Sequence, residues 1–245
     1  MKSTHIPLRL FSVIAVTGLL GVATASAQLA TYDFSSSTSP ASPTAEVDNL
    51  SASSVAWNGL TTGTFGVSNL AGGQAFARFD SVGTTFDENK YLSFTVTADE
   101  GYLLNLSSLT VSFGGTNTST TVGRAVFAKV RTDAEDTAFS TDLAINPGAL
   151  TTASVAIPAN TTTSSIVYEF LTVDLSDAAY QSVSALTIRL YGYASSTATT
   201  GTLRVGDITI NGAVTAIPEP SSYALLAGGV ALGSILCLRR RNRCK

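Results

Sequence analysis

The chain has 245 residues, of which 44% are hydrophobic and only 13% are charged, and its formal net charge is −3. Its one histidine (His5) and both cysteines (Cys237 and Cys244) lie in the terminal segments. Residues 28–217 therefore contain no imidazole and no thiol, which excludes Ser-His-Asp and Cys-His catalysis, zinc sites built from those ligands and a disulfide framework from this region.

The N-terminal segment has the pattern of a secretory signal peptide. A short positive region precedes an apolar run at residues 10–22. Ala25 and Ala27 then place small residues at positions −3 and −1 of a signal-peptidase site, which predicts cleavage between Ala27 and Gln28. Residues 1–27 are expected to be removed by signal peptidase. An N-terminal membrane anchor is the alternative, although the apolar run is short for a membrane span.

Hydrophobic and polar residues alternate with period two between the two terminal segments. In residues 90–98, Leu92, Phe94 and Val96 fall on one side of an extended segment, and serine and threonine fall on the other. The same alternation occurs in residues 74–80, 109–113, 124–131, 166–175, 185–193 and 202–210.

Clusters of glycine, asparagine, aspartate, serine and threonine separate these segments, and only residues 177–183 are typical of a helical turn. Many short strands without helical spacers predict one exported all-β domain at residues 28–217. We expect an antiparallel β-sandwich that is jelly-roll-like, and a pair of immunoglobulin-like sandwiches is the alternative.

The C-terminal segment, residues 218–245, has the pattern of a membrane anchor. Residues 221–238 carry no charge and, at about 1.5 Å per residue, a helix of this length just crosses a hydrocarbon core of about 30 Å. The basic tail at residues 239–245 follows and would stay in the cytoplasm. A transmembrane helix is therefore predicted at 221–238, and the membrane is a predicted partner. A buried core helix is the alternative.

Pro218, Glu219 and Pro220, the apolar span and the terminal arginines together resemble the PEP-CTERM sorting signal of exported bacterial proteins. The resemblance implies that the tripeptide is the recognition element for exosortase, a membrane protease. It also implies that the basic tail is a retention cluster, formed by Arg239, Arg240, Arg241 and Arg243. The source is then a bacterium of Gram-negative type with an exopolysaccharide matrix. The protein would be membrane-anchored before processing and would then reach the cell surface or extracellular matrix.

Residues 90–213 resemble, less specifically, the exported domains that precede such tails and are similar to jelly-roll carbohydrate-binding modules. The resemblance rests on segments 94–96, 101–102, 106–109, 186–193 and 201–212. Many relatives have Asp-Asn before the last strand, where this chain has Gly206 and Asp207. No site and no activity are transferred from this second resemblance.

The predicted exported domain is acidic. It contains seven basic and sixteen acidic residues, a net charge of −9, which argues against nucleic acid and anionic lipid as partners. Carboxylates are its only general acid or base candidates. Glu169 and Asp174 would lie on opposite faces of a strand about 16 Å apart, too far for a glycosidase pair. We expect no catalytic residues, no enzymatic activity and no cofactor.

Two kinds of ligand site are considered for the domain. Asp99 and Asp207 are weak calcium candidates, because they supply oxygen ligands near loops but lack the spacing of an EF-hand. Tyr191 and Tyr193 would share one face of a strand, and Trp57 is the only tryptophan, so these three rings are candidates for sugar binding. Burial in the sandwich core is the alternative for all three.

These observations favour an exported surface or extracellular-matrix protein with a non-catalytic structural or adhesive role. The alternative is a carbohydrate-binding module for the cell's own exopolysaccharide, with polysaccharide as the partner, and it predicts exposed aromatic rings on one sheet face. A carboxylate-based glycosidase is the third hypothesis and predicts a cleft with two facing carboxylates.

Overall fold

The computed structural model describes residues 27–34, 42–59, 75–79, 83–146, 150–161, 166–195 and 202–218. These residues form fourteen β-strands and one short 3-10 helix at Ala178–Tyr180. The strands are β1 (Ala27–Tyr32), β2 (Ala45–Glu46), β3 (Leu50–Ala52), β4 (Ala56–Asn58), β5 (Ala77–Phe79), β6 (Tyr91–Ala98), β7 (Tyr102–Gly115), β8 (Arg124–Thr132), β9 (Ile145–Asn146), β10 (Ala153–Ile157), β11 (Val167–Asp174), β12 (Gln181–Val183), β13 (Ala185–Ala194) and β14 (Leu203–Ala216).

The strands form two antiparallel sheets. The eight-stranded sheet has the order β2-β1-β14-β7-β11-β9, with β12 paired to β7 and β5 paired to β14. The six-stranded sheet has the order β10-β8-β13-β6-β3, with β4 paired to β6. The chain changes sheet at most of its connections, among them those between β6 and β7, between β7 and β8, and between β13 and β14. The predicted all-β antiparallel sandwich of jelly-roll-like type is confirmed.

The core between the sheets consists of the apolar residues that alternate along each strand. In β6, Leu92, Phe94 and Val96 are buried, as predicted from their spacing. Phe94 lies opposite Ile188 of β13, and Val96 lies opposite Leu186 of the same strand. Each such side chain contributes about 1.5–3 kcal/mol when it is fully removed from water. The period-two pattern therefore decides which face of the six-stranded sheet points inward.

Strands β7 and β14 are longer than the alternation predicted, and they lie side by side in the middle of the eight-stranded sheet. The pairing of β14 with β7 shifts register between Val205 and Ile208 and again between Asn211 and Gly212. Asn211 and Gly212 would end a strand as a turn signal, but here they form an irregularity inside one. The short strands β1 to β4, β9 and β10 were not predicted, because two to six residues carry little periodic signal.

The helical turn predicted at residues 177–183 is realised only in part. A 3-10 helix occupies Ala178–Tyr180, and the next residues form β12 on the edge of β7. Tyr180 is buried in the core, and the Gln181 side-chain amide donates a hydrogen bond to the Leu106 carbonyl at 2.8 Å. These contacts with the rest of the domain draw the chain into the sheet, so the helix ends after one turn.

Candidate functional site

The sorting tripeptide follows the last strand directly. The Ile217 backbone N–H donates a hydrogen bond to the Gly101 carbonyl at 2.7 Å, in the turn between β6 and β7. Pro218 comes next and is exposed. Glu219 and Pro220 lie outside the described residues, as do the predicted transmembrane segment 221–238 and the arginines of the retention cluster. In the described ranges, no helix is both long and apolar enough to span a bilayer.

The predicted signal-peptidase site lies at the start of β1. Ala25 is outside the described residues, whereas Ala27 and Gln28 are the first two residues of the strand and are exposed. Ala27 lies opposite Gly212 of β14, and Gln28 lies opposite Asn211. The peptide bond predicted to be cleaved is thus part of a paired strand in the folded domain.

Tyr191 and Tyr193 share the outer face of the six-stranded sheet, as their spacing predicts, and both belong to an aromatic cluster. Tyr191 lies opposite Tyr91 of β6, with ring centroids 5.4 Å apart. Tyr193 lies opposite Phe127 of β8, and these two rings are stacked at 4.8 Å. Phe86, from the loop before β6, contacts both tyrosines at 5.4 and 6.2 Å. Tyr191 is buried beneath this cluster, while Tyr193 is half-buried.

Three cations lie on the same face. Arg131 of β8 is directly opposite Arg189 of β13, and Lys129 is opposite Tyr191. Asp142, from the loop between β8 and β9, forms salt bridges with both Lys129 and Arg131. We call this surface the aromatic–cation face, and its members are Phe86, Tyr91, Phe127, Lys129, Arg131, Phe139, Asp142, Arg189, Tyr191 and Tyr193.

The cations of this face are held against aromatic rings. The Arg189 guanidinium contacts two rings, 3.6 Å from the Phe139 centroid and 4.3 Å from the Tyr91 centroid. Arg131 and Lys129 contact the Phe86 ring at 4.9 and 4.8 Å. Such contacts are worth about 0.5–2 kcal/mol each. They explain why like charges on neighbouring strands are tolerated here.

Burial keeps the phenol of Tyr191 protonated. Burial raises the pKa of Tyr191, and the positive charges of Arg189 and Arg131 act in the opposite direction. The net result is that the pKa of Tyr191 is raised above its ordinary value. The hydroxyl is therefore available as a neutral hydrogen-bonding group over the whole physiological pH range.

Trp57, the third ring considered for sugar binding, lies elsewhere. It is part of β4, opposite Leu92 of β6, and it is half-buried against the main core. Among the described residues, every tyrosine and Trp57 is buried or half-buried, so none presents a fully exposed ring. The three candidate rings thus do not form one flat platform, and only Tyr191 and Tyr193 lie together.

The two calcium candidates are far apart. Asp99 is exposed in the turn that receives the Ile217 hydrogen bond, and its own carbonyl accepts a hydrogen bond from the Tyr102 N–H. Asp207 lies in β14, nine residues before Ala216, which is opposite Tyr102. At about 3.3 Å per residue this separates the two aspartates by about 30 Å. In the part of the chain that the structure describes, no three His, Cys, Asp or Glu side chains are close enough to hold a metal ion.

The carboxylates considered for catalysis lie in exposed positions. Glu169 and Asp174 are both exposed on β11, five residues apart. Hydrogen bonds from Ser176 hold the pKa of Asp174 below its usual range. Asp136 has a lowered pKa for a similar reason, because the Ser140 side chain and the backbone N–H groups of Ala138 and Ser140 donate to it. Asp136 and Asp174 therefore act as turn-forming groups.

Sequence reasoning missed the loop residues and the cations of the aromatic–cation face. Phe127, Lys129 and Arg131 alternate on β8 and could have been found as one outward side of that strand. Phe86 and Asp142 come from irregular loops, and no local pattern assigns them to this face. Their contribution follows only from the way the loops fold back over β8 and β13.

Comparison with known proteins identifies the C-terminal segment. Residues 216–241 match the family described as the PEP-CTERM protein-sorting motif. The match begins at the last residue of β14 and includes the tripeptide and the first three arginines of the retention cluster. The predicted resemblance is confirmed: the chain carries a PEP-CTERM sorting motif, which implies an exported protein. No curated protein matches the chain at a significant level.

Two solved structures share limited similarity with the chain. The enzymatically active domain of tailspike protein 4 from bacteriophage CBA120 is 15% identical with a TM-score of 0.29, and the match covers 68% of this chain and 20% of that chain. The CBM22-1 xylan-binding domain of Paenibacillus barcinonensis Xyn10C is 11% identical with a TM-score of 0.25, covering 76% of this chain and 97% of that chain. The function of the exported domain is therefore inferred from its own residues.

Proposed function

We propose that this chain, whose residues 216–241 carry a PEP-CTERM sorting motif, is a non-catalytic structural or adhesive protein of the bacterial cell surface or extracellular matrix. Signal peptidase would release the N-terminus at Gln28. An exosortase-like membrane protease would then process the C-terminal segment once the domain has crossed the inner membrane. The polar, acidic domain suits the aqueous space outside that membrane.

The observation that carries this proposal is the direct junction between sandwich and sorting motif. The motif begins at Ala216, the final residue of β14, and the Ile217 hydrogen bond to Gly101 continues the pairing by one residue. Ala27 lies opposite Gly212, so Ala216 extends only about 13 Å beyond the start of β1. Both segments predicted to meet the membrane thus leave from one end of the sandwich. This arrangement suits a domain that is anchored at the membrane surface until the membrane protease releases it.

A non-catalytic role is supported by the hydrogen bonding and the pKa directions of the carboxylates. Asp136 is half-buried and Asp174 is exposed, and both have lowered pKa values because they accept hydrogen bonds within turns. A glycosidase requires instead a general acid with a raised pKa about 5–10 Å from a second carboxylate. Glu169 shares a strand with Asp174 but lies five residues away.

Polysaccharide binding is the second candidate function, and the aromatic–cation face favours it. Stacked rings beside hydrogen-bonding cations are the groups that bind sugars in proteins, where the rings contact the apolar face of the sugar and the polar groups fix its orientation. This face combines the half-buried rings of Tyr193 and Phe127, which lie opposite each other, with the half-buried Arg189 four residues before Tyr193 on the same strand.

The test of export and processing is the intact mass of the protein from membrane and extracellular fractions of its own bacterium. We expect an extracellular species running from Gln28 to about Pro218. The variant Glu219→Gln should remain in the membrane with its tail uncut. Glu100→Gln, which alters an exposed carboxylate in the neighbouring turn, is the matched control and should be processed normally. A species running from Gln28 to Lys245, found only in membranes, would contradict processing.

The structural or adhesive role requires a separate test in cells. A deletion strain should lose cohesion of its matrix or attachment to a surface, and the wild-type chain should restore it. The uncut Glu219→Gln variant should restore it only in part, because the domain would remain at the membrane. Unchanged cohesion and attachment in the deletion strain would contradict this role.

A further inference from the structure

We infer that the aromatic–cation face binds a carboxylate-bearing polysaccharide, a polymer containing uronic acid, with Arg189 as the residue that contacts the sugar carboxylate. The inference rests on the second candidate function, polysaccharide binding, and names the substrate class for it. Three observations support the inference: the distribution of charge in the domain, the contacts of Arg189, and the pairing of the Asp142 carboxylate with two cations of the face.

The charge distribution singles out this face. The domain at residues 28–217 has a net charge of −9, and yet three of its seven cations, Lys129, Arg131 and Arg189, lie on adjacent positions of two strands. The ring contacts make these directly opposed like charges tolerable, and an anionic ligand would neutralise the positive charge that remains at Arg189. Two carboxylates lie nearby. Asp142 pairs with Lys129 and Arg131, and Asp133 accepts a hydrogen bond from the Thr187 backbone N–H at 2.8 Å.

Arg189 is the cation of the face that lacks a carboxylate. Within the described ranges it forms no salt bridge, so no carboxylate of the described chain neutralises its charge. Its guanidinium is restricted in orientation by contacts with the rings of both Tyr91 and Phe139. A planar guanidinium held in this way is suited to bidentate binding of a carboxylate, and little side-chain entropy remains to be lost.

Asp142 shows that the face accepts carboxylates. Its two oxygens bind Lys129 and Arg131 side by side, and the Arg131 guanidinium also donates to the Phe139 carbonyl at 2.7 Å. A uronate at Arg189 would repeat this pairing on the neighbouring strand. Tyr193, whose ring stacks on that of Phe127, lies four residues after Arg189 on β13. The two positions are about 13 Å apart, which is the length of two to three sugar units. One ring pair and one cation therefore fit a short stretch of polymer.

Binding of the full chain, purified in detergent, to polygalacturonic acid tests this inference. Fully methyl-esterified polygalacturonate has the same backbone without the charge and is the matched probe. We expect binding to the acid and at least tenfold weaker binding to the ester. Arg189→Gln should lower affinity for the acid by about 10- to 100-fold, as expected for loss of a charge-assisted hydrogen-bonded pair. Lys90→Gln, which removes a cation next to the face, should change affinity by less than about twofold.

A second variant keeps the test informative if Arg189→Gln does not fold. Arg189→Lys retains the charge but not the planar fork, and it should also weaken binding of the acid while its thermal unfolding stays close to that of the wild type. Equal binding of acid and ester would overturn the carboxylate inference and leave polysaccharide binding in place. Binding of neither polymer would overturn both, and it would leave export and processing untouched. Full affinity of both Arg189 variants would overturn this location of the site.

Discussion

Ala27 at the start of β1 lies directly opposite Gly212 of β14, so the first and last strands of the domain are neighbours in the eight-stranded sheet. Because β14 also pairs with β7, it is an interior strand whose backbone groups pair with a neighbouring strand on each side. The sheet can therefore close only when the chain up to residue 216 is available to pair. Completion of the fold thus requires the residues that immediately precede the sorting tripeptide.

This pairing predicts that signal-peptide removal precedes docking of β1. The Ala27–Gln28 bond lies within a paired strand, and a protease needs its substrate extended and unpaired. Purified signal peptidase should cleave the urea-unfolded precursor and leave the folded precursor uncut. A ten-residue glycine–serine spacer inserted between Ala27 and Gln28 should restore cleavage of the folded form. Equal cleavage of folded and unfolded precursor without the spacer would contradict the prediction.

Gly212→Ala should destabilise the domain by about 1–3 kcal/mol, because a Cβ at this position would lie 2.4 Å from the Asn105 carbonyl oxygen of β7. The two nearest atoms, the Asn105 carbonyl oxygen and the Leu106 Cα, belong to the β7 backbone and leave little room for relaxation. Urea unfolding followed by circular dichroism measures the change. Gly83→Ala is the control, since its nearest contact is 3.5 Å from Thr85 and little change is expected. Equal stability of the two variants would refute the close strand approach.

Asp142→Asn should lower the free energy of unfolding by about 1–2 kcal/mol, because it removes the carboxylate that bridges two cations in a largely buried position. The loop between β8 and β9 should also become more sensitive to limited proteolysis. Asp87→Asn is the control: its ion pair with Lys90 is 3.9 Å long and more open to solvent than the pairs of Asp142, so a change within about 0.5 kcal/mol is expected. A larger loss of stability in Asp87→Asn than in Asp142→Asn would argue against stabilisation of the domain by the salt bridges of Asp142 with Lys129 and Arg131.

The stability of the domain should fall in alkaline solution above about pH 10. Burial raises the pKa of Tyr180 to about 12, from an ordinary value of 10. The folded state holds the phenol proton more tightly than the unfolded chain, so stability is fully present below pH 10 and is lost as pH rises toward 12. Burial raises the pKa of Tyr32 and of Tyr191 in the same direction.

Tyr180→Phe tests this pH dependence. The variant loses the 3.3 Å hydrogen bond with Thr132, which should cost about 0.5–1.5 kcal/mol at neutral pH. Its decline in urea midpoint between pH 10 and 12 should be shallower than that of the wild type. A slope identical to the wild-type slope would show that Tyr180 does not titrate with folding.

Part of the candidate site could be predicted from the sequence. The spacing of Tyr191 and Tyr193 correctly placed both rings on one side of a strand. It did not predict that Phe86 covers them, because a loop residue has no periodic relationship to the strand it packs on. The pairing of Asp142 with Lys129 and Arg131 depends in the same way on a loop that returns over β8.

The sequence by itself determined the sorting motif and the all-β class of the domain. A sorting motif is recognised as a linear segment, and period two shows directly which residues of β6, such as Phe94, face a core. Tertiary structure alone decided that Ala27 meets Gly212 and that Arg131 meets Arg189. These pairings join residues that are distant in the chain, and they depend on the strand register. A register shift of one residue would turn every side chain of a strand to the opposite face of the sheet. They arise only when burial across the whole sandwich selects one arrangement.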